Sequence, residues 1–211
     1  GDERIFHRLA KGERIAQIRE TSGIVEDELV RIQISPIGGD ADARAQTRAD
    51  LAMLRALPGV KAATTVNQVP FVNSSWNNSV NLEPDQPRPT LNATMYMAED
   101  RFLETFGLQL VAGRNFTADE YLEFEALNDP NNPARIGSVI VTRKLAEQLF
   151  PGEDPLGKTI YTGSDSPIRI VGVVEHLVRP SMQGGPAQRE YTTIVPVRGT
   201  YDLGGQYGIR T

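Results

Sequence analysis

The chain has 211 residues, a length that supports one or two domains with a real apolar core. Its 39% hydrophobic and 23% charged residues exclude collagen, coiled coil, wholesale disorder and a polytopic membrane protein. A net charge of -5 leaves no basic excess to displace counterions from a nucleic acid, and the absence of cysteine removes disulfides, thiolate metal sites and cysteine nucleophiles.

The first 23 residues carry four acids and five bases, with Phe6 and Leu9 able to share one face of a solvated helix that stops at Gly23. In "ELVRIQIS", Val30, Ile32 and Ile34 alternate with polar residues, which predicts a half-buried strand. Gly38 and Gly39 break it, and Asp40 or Asp42 can cap the helix "ARAQTRADLAMLRAL", whose Thr47, Leu51 and Leu54 fall on one face. Pro58-Gly59 ends that helix, and "VKAATTVNQV" reads as a second strand, giving a βαβ unit or a split version of one. Strands are predicted over Asn78–Leu82 and Leu91–Met97, separated by prolines 84, 87 and 89. "EDRFLETFGLQL" predicts a short helix stopped by Gly107. Residues 99–135 hold eight acids against three bases and are expected to be solvated, with a turn and a long exposed loop over 111–135. "GSVIVT" is a strand, Thr142 is placed to cap "RKLAEQLF", and "TIYT" and "IRIVGVV" are expected to pair across "GSDSP". Pro196 in "YTTIVPV" suggests a sheet edge. The mixture of helices and many short strands is α+β.

Gly152-Glu153-Asp154-Pro155-Leu156-Gly157-Lys158-Thr159 fits the spacing of a phosphate-binding loop. Such a loop must follow a strand and open a helix. Here it follows a predicted helix and opens a predicted strand, with two carboxylates where phosphates would sit, so it is read as a tight turn. A nucleotide-binding enzyme built on it requires a helix from Lys158. The histidines, His7 and His176, have no metal-ligand spacing, and neighbours such as Glu175-His176 point to opposite faces of a strand. No G-x-S-x-G elbow is present. Asp119, Glu120, Glu123 and Glu125 lack the spacing of a calcium loop and are read as charged surface. Four N-x-[ST] triplets, at Asn73, Asn77, Asn92 and Asn115, are at chance level for so Asn-rich a chain. Trp76 is expected as a local core plug, with a partner-contacting aromatic as the alternative. No catalytic, cofactor-binding or metal-binding residue is assigned, and the chain is read as no enzyme.

Four strings, "LRALPGVKAATTVNQVPF" (54–71), "FLETFGLQLVAGRNFTADE" (102–120), "VIVTRKLAEQLFPGEDPLGKTI" (139–160) and "IRIVGVVEH" (168–176), occur in an informative order. Together they resemble the extracytoplasmic domain of bacterial ABC transporter permeases of the MacB type, related to FtsX-like permeases, over about residues 24–198. In that family "LFPGEDPLGKTI" is a turn between helix and strand. The resemblance implies a porter-like βαβ subdomain with an inserted β-rich, Sabre-like subdomain. It places a stalk helix at 1–23 after a transmembrane helix, the first porter part at 24–72, the insertion at 73–187 and the porter return at 188–211. That return is expected to continue beyond "YGIRT" with a helix and a strand. With its start at Gly1, this makes the chain an expected piece of a longer protein.

The function implied is non-catalytic: coupling of cytoplasmic ATP hydrolysis to periplasmic export or mechanotransmission in a bacterial inner membrane protein, with this domain in the periplasm. The partners implied are a second copy of the permease and a cytoplasmic ABC ATPase, with a periplasmic adaptor and an outer-membrane channel as further candidates. The excised domain itself is expected to be monomeric. A free-standing periplasmic or secreted binding module is the alternative, ahead of the nucleotide-binding enzyme.

Overall fold

In the computed structural model, which describes residues 22–34, 42–71, 75–162, 166–181, 186–200 and 205–211, Asp42 opens α1 (Ala43–Ala56). Its Oδ1 accepts from the amides of Arg44 and Ala45 at 3.0 and 3.1 Å, which satisfies two of the free donors at the helix start. Thr47, Leu51 and Leu54 are buried as the spacing predicts, joined by Asp50. The segment 1–21, with most of the expected stalk helix, lies outside the described residues, as do Gly38, Gly39 and Asp40.

Twelve strands are present among the described residues: β1 (Leu29–Gln33), β2 (Ala62–Thr65), β3 (Asn77–Asn81), β4 (Leu91–Met97), β5 (Leu110–Gly113), β6 (Leu122–Glu123), β7 (Ser138–Thr142), β8 (Thr159–Thr162), β9 (Pro167–Val174), β10 (Thr192–Val195), β11 (Val197–Arg198) and β12 (Gln206–Arg210). Three further short helices are α2 (Phe102–Phe106), α3 (Phe124–Asn128) and α4 (Arg143–Leu149). Gly107 ends α2 in the left-handed conformation (φ 66°) that glycine adopts without a Cβ clash. The class is α+β.

β1, β12 and β2 form a three-stranded sheet with β12 antiparallel to both neighbours. The β1-α1-β2 unit is therefore split, with a strand from the far end of the chain between its two strands. α1 covers one face: Leu51 and Leu54 pack with Ala63, Tyr207 and Ile209, and Ile32 and Ile34 border them. Val30 departs from the expected alternation. It is 46% exposed, because β1 is an edge strand and the α1 cluster reaches only Ile32 and Ile34, while Leu29 turns to the opposite face.

The larger sheet runs β5-β9-β7-β10-β4-β3-β8, and β8 pairs again with β9. The expected β8–β9 pairing is present, with Ile160 opposite Ile168. It closes β9, β7, β10, β4, β3 and β8 into a ring, which removes the free edges an open sheet would offer. All six strands contribute to one cluster, from Val80, Ala93 and Val139 to Ile160, Ile168 and Val195, and α4 adds Leu145, Ala146 and Leu149. On β7 the period of two is explicit: Val139 and Val141 face that cluster, and Ile140 faces a second one with Tyr96, Phe102 and Phe106. This second cluster joins the sheets, since Leu29 and Val66 of the smaller unit also pack on it.

Three local expectations change. β10 lies inside the ring between β7 and β4, and Pro196 sits after its last residue, where a missing N–H costs no ladder bond. Thr142 stands at the N-cap position of α4 without capping it; its hydroxyl donates to the carbonyl of Glu190 instead. The acidic stretch 99–135 is not simply a solvated loop. Beyond the expected helix α2 it contains β5, β6 and α3, buries Phe116, and packs Phe124 and Leu127 on the first cluster, because its acids pair with arginines while the apolar residues between them turn inward. Residues 188–211, expected as one returning segment, serve both sheets: β10 belongs to the ring and β12 to the three-stranded sheet.

Candidate functional site

The phosphate-loop spacing at 152–159 folds as a turn followed by the strand β8, so no helix begins at Lys158 and the nucleotide-binding reading fails. The Lys158 ammonium pairs with Glu153 and lies 5.3 Å from the Phe150 ring centroid. Asp154 Oδ1 accepts from the Leu156 amide at 3.0 Å, and the Gly157 amide donates to Ile170. The amides and the cation that would cradle phosphates are thus engaged within the turn itself.

The other residues singled out in the sequence are dispersed. His176 Nδ1 is 3.0 Å from Glu190, and Glu175 is held by Arg143 at 2.7 Å. His7 and Asn73 lie outside the described residues. Glu120 accepts from Arg114 and closes a capping box with Thr117; the guanidinium contact chiefly lowers its carboxyl to about 2. Asp119 is exposed, and among the described residues no group of His, Asp or Glu could hold a metal ion. Asn115 caps the Phe116 amide, and Asn92 is exposed on β4. Asn77 Oδ1 accepts from Ser75, Thr94 and Arg179. Arg179 is a buried guanidinium that the sequence reading did not identify, with further bonds to Thr94 and Gln188. Trp76 is not a core plug: it is 42% exposed and meets Phe124 edge-on at 6.4 Å.

Glu123 and Glu125 lead to a place where charged groups of both units converge. A cleft of about 430 Å³ runs along α1, walled on one side by Arg44, Arg48, Leu51 and Arg55 and on the other by Glu99, Asp100, Glu123 and Arg198. The α1 residues recur at helical spacing, so one face of α1 lines the cleft. Arg44 reaches Glu123 and Glu125 at 3.4 and 3.8 Å, and Arg55 reaches Asp100 at 3.2 Å. Arg198 on the opposite wall sits 3.3 Å from Glu99 and 4.8 Å from the Tyr121 ring centroid.

Glu99 is the buried member, 7% exposed. Burial first, then Asp100 beside it, push its carboxyl up to about 8 despite the Arg198 guanidinium. Burial also works against ionising Asp100, but the hydrogen bond with Glu99 and the Arg55 guanidinium outweigh it and hold that carboxyl below its usual value. Burial and the shared hydrogen bond thus favour the proton on Glu99 over Asp100. Among the described residues the cleft walls present charge and hydrogen-bond donors, a set suited to binding or clamping. Arg44, Arg48 and Arg55 could have been found from their spacing on α1, but Glu99 and Arg198 come from distant segments with no local signal.

The family model for MacB-like periplasmic core domains matches residues 10–209. The macrolide export ATP-binding/permease protein MacB of Pasteurella multocida (strain Pm70) is 33% identical over 140 residues, which is 65% of this chain and 18% of that protein. The chain thus corresponds to a small part of that relative. Among solved structures, the periplasmic region of MacB from Actinobacillus actinomycetemcomitans aligns over 92% of this chain and 79% of that one, with 17% identity and a TM-score of 0.49. The extracellular domain of the ABC-type transporter YknZ from Gram-positive bacteria aligns over 86% of this chain and 83% of that one, with 17% identity and a TM-score of 0.47. The family model accounts for both the smaller sheet and the ring, and on it the chain belongs to the family of MacB-like periplasmic core domains.

Proposed function

We propose that the chain is a non-catalytic, periplasmic domain of an ABC transporter permease, which couples ATP hydrolysis in the cytoplasm to export or mechanotransmission on the far side of the inner membrane. The family match over residues 10–209 carries this reading. The architecture is suited to it mechanically. The Thr211 amide donates to the Glu28 carbonyl at 2.9 Å, so the two segments leading into and out of the three-stranded sheet are side by side. A displacement applied to both enters one sheet, and the cluster around Phe102 and Phe106 carries it to the ring. Among the described residues no helix is long and apolar enough to cross a membrane; the membrane connection is through flanking helices.

In this reading residues 24–72 and the end of the chain form the porter-like part, with the insertion between them, and a second copy of the permease stands alongside. The ATPase is cytoplasmic, and a periplasmic adaptor and outer-membrane channel receive the transmitted motion. The test is the intact transporter reconstituted with and without this domain. Nucleotide hydrolysis is expected to persist when the domain is deleted, while transport is lost. Undiminished transport by the deletion protein, or ATP turnover by the isolated domain, would overturn the reading.

A further inference from the structure

The ion pairs of the cleft leave one cation over. Arg44, Arg55 and Arg198 each have a carboxylate within 4 Å, but Arg48, exposed between them on α1, has no hydrogen bond or ion pair among the described residues. Among the described residues the cleft walls carry the guanidiniums of Arg44, Arg48, Arg55 and Arg198 and the carboxyl groups of Glu99, Asp100 and Glu123, with Glu125 reaching Arg44. A chain of net charge -5 thus holds, in this cleft, an exposed guanidinium with no carboxylate beside it among the described residues, and the walls concentrate its field on a small solute. Exposed Ala52 lies between the arginines on the same wall, beside the edge of buried Leu51, and gives the cleft a small apolar area.

We propose that this cleft is a binding site for a small organic monocarboxylate, whose charged end pairs with Arg48 and whose apolar body lies on Ala52 and the aliphatic stems of the neighbouring arginines. A volume of about 430 Å³ lies within the range of small-molecule clefts, roughly 300–1,000 Å³. A guanidinium presents two parallel donors to the two oxygens of a carboxylate, the strongest geometry available to an exposed arginine. One unpaired guanidinium matches one carboxylate. Glu99 sets the pH range. The groups facing it are Asp100 beside it, Arg198 from β11, Arg55 from α1 and Tyr121. Above about 8 its ionisation adds a negative charge to the cleft wall, so affinity falls. The site stands on the cleft alone and does not require that the domain relay motion.

The test is a titration of the 15N-labelled 211-residue chain with N-acetylleucine, which has one carboxylate, an apolar body and no amine. Its methyl ester serves as the neutral control and inorganic phosphate as the anion without a body. Saturable amide shifts are expected along α1 and at Arg198 and Gly199, at least about fivefold weaker in affinity for Arg48→Gln, an exposed change that keeps helix propensity. In wild type the affinity is expected to fall between about pH 7 and about pH 9, and Glu99→Gln to remove that fall. The proposal is overturned by an absence of saturable shifts at about 10 mM ligand, by wild-type affinity in Arg48→Gln, or by equal binding of the ester or of phosphate. A pH dependence that persists in Glu99→Gln would overturn the part given to Glu99.

Discussion

Two carboxylates in this domain make opposite contributions to stability, and pH separates them. Glu99 holds its proton to about 8, whereas in an unfolded chain it would release it near 4.5. The folded state therefore binds the extra proton, and the contribution of Glu99 to stability falls as pH rises from about 4.5 to about 8, then levels off. Replacing it with Gln, a neutral acceptor and donor of the same size, should matter little near pH 4.5 and stabilise the chain increasingly up to about pH 8. Urea midpoints of the two proteins across that range check this, and a constant difference would contradict it. Glu120 has the reverse sign. Its carboxyl is lowered to about 2 by Arg114, so its contribution is complete above the ordinary carboxylate range and is lost as pH falls toward 2. Glu120→Gln should thus destabilise at neutral pH, with a gap that narrows in acid. Gln keeps an acceptor for the Thr117 amide, so the capping box is retained and the difference is carried by the lost charge pair with Arg114.

At the scale of elements, β5 is attached to the ring through two glycines. Gly113 faces Gly172 across the β5–β9 ladder, next to a shift in register. A Cβ on Gly172 would lie 2.5 Å from the Arg114 carbonyl oxygen, and one on Gly113, at φ 72°, would lie 2.2 Å from that of Val171. Both contacts are with backbone, which cannot swing aside. Gly172→Ala is expected to cost about 1–3 kcal/mol and to loosen β5 while β7, on the other side of β9, stays paired. Hydrogen exchange should then quicken at Ala112 and Arg114 and stay slow at Ile140 and Val141; equal quickening on both sides would show that β9 itself is disrupted.

These strands were largely visible in the sequence. Leu91–Met97 is observed at the bounds read from the sequence, and β7, β8 and β9 fall on the strings read as strands, β7 being buried on both faces. The partnerships were not visible. Thr192 pairs beside Thr94, and Arg44 meets Glu123, across long separations that leave no local pattern. The cleft was missed for the same reason: its acids and arginines each read as ordinary solvated charge until the chain brought them together. Pro196 misled because the residue was weighed as part of a strand that in fact ends one position earlier.

For the whole molecule, the question is whether the three-stranded sheet and the ring form one cooperative body. β12 decides it. It supplies both ladders of the smaller sheet, places Tyr207 and Ile209 under α1, and donates the Tyr207 hydroxyl to buried Asp50 at 2.9 Å. β1 and β2 have no ladder with each other, so removal of residues 206–211 leaves each without its partner in that sheet. The ring loses no strand by the same deletion, and its own cluster contains no residue of β12. The shortened chain is therefore expected to keep exchange protection over 138–142 and 168–174 and to lose it over 43–56, with an unfolding transition confined to the ring. Had the second cluster been sufficient to hold the smaller unit, through Leu29 and Val66 on Phe106, protection over 43–56 would survive the deletion. In that case motion entering at Glu28 would, under the proposed relay, reach the ring through β1 and β2 without β12.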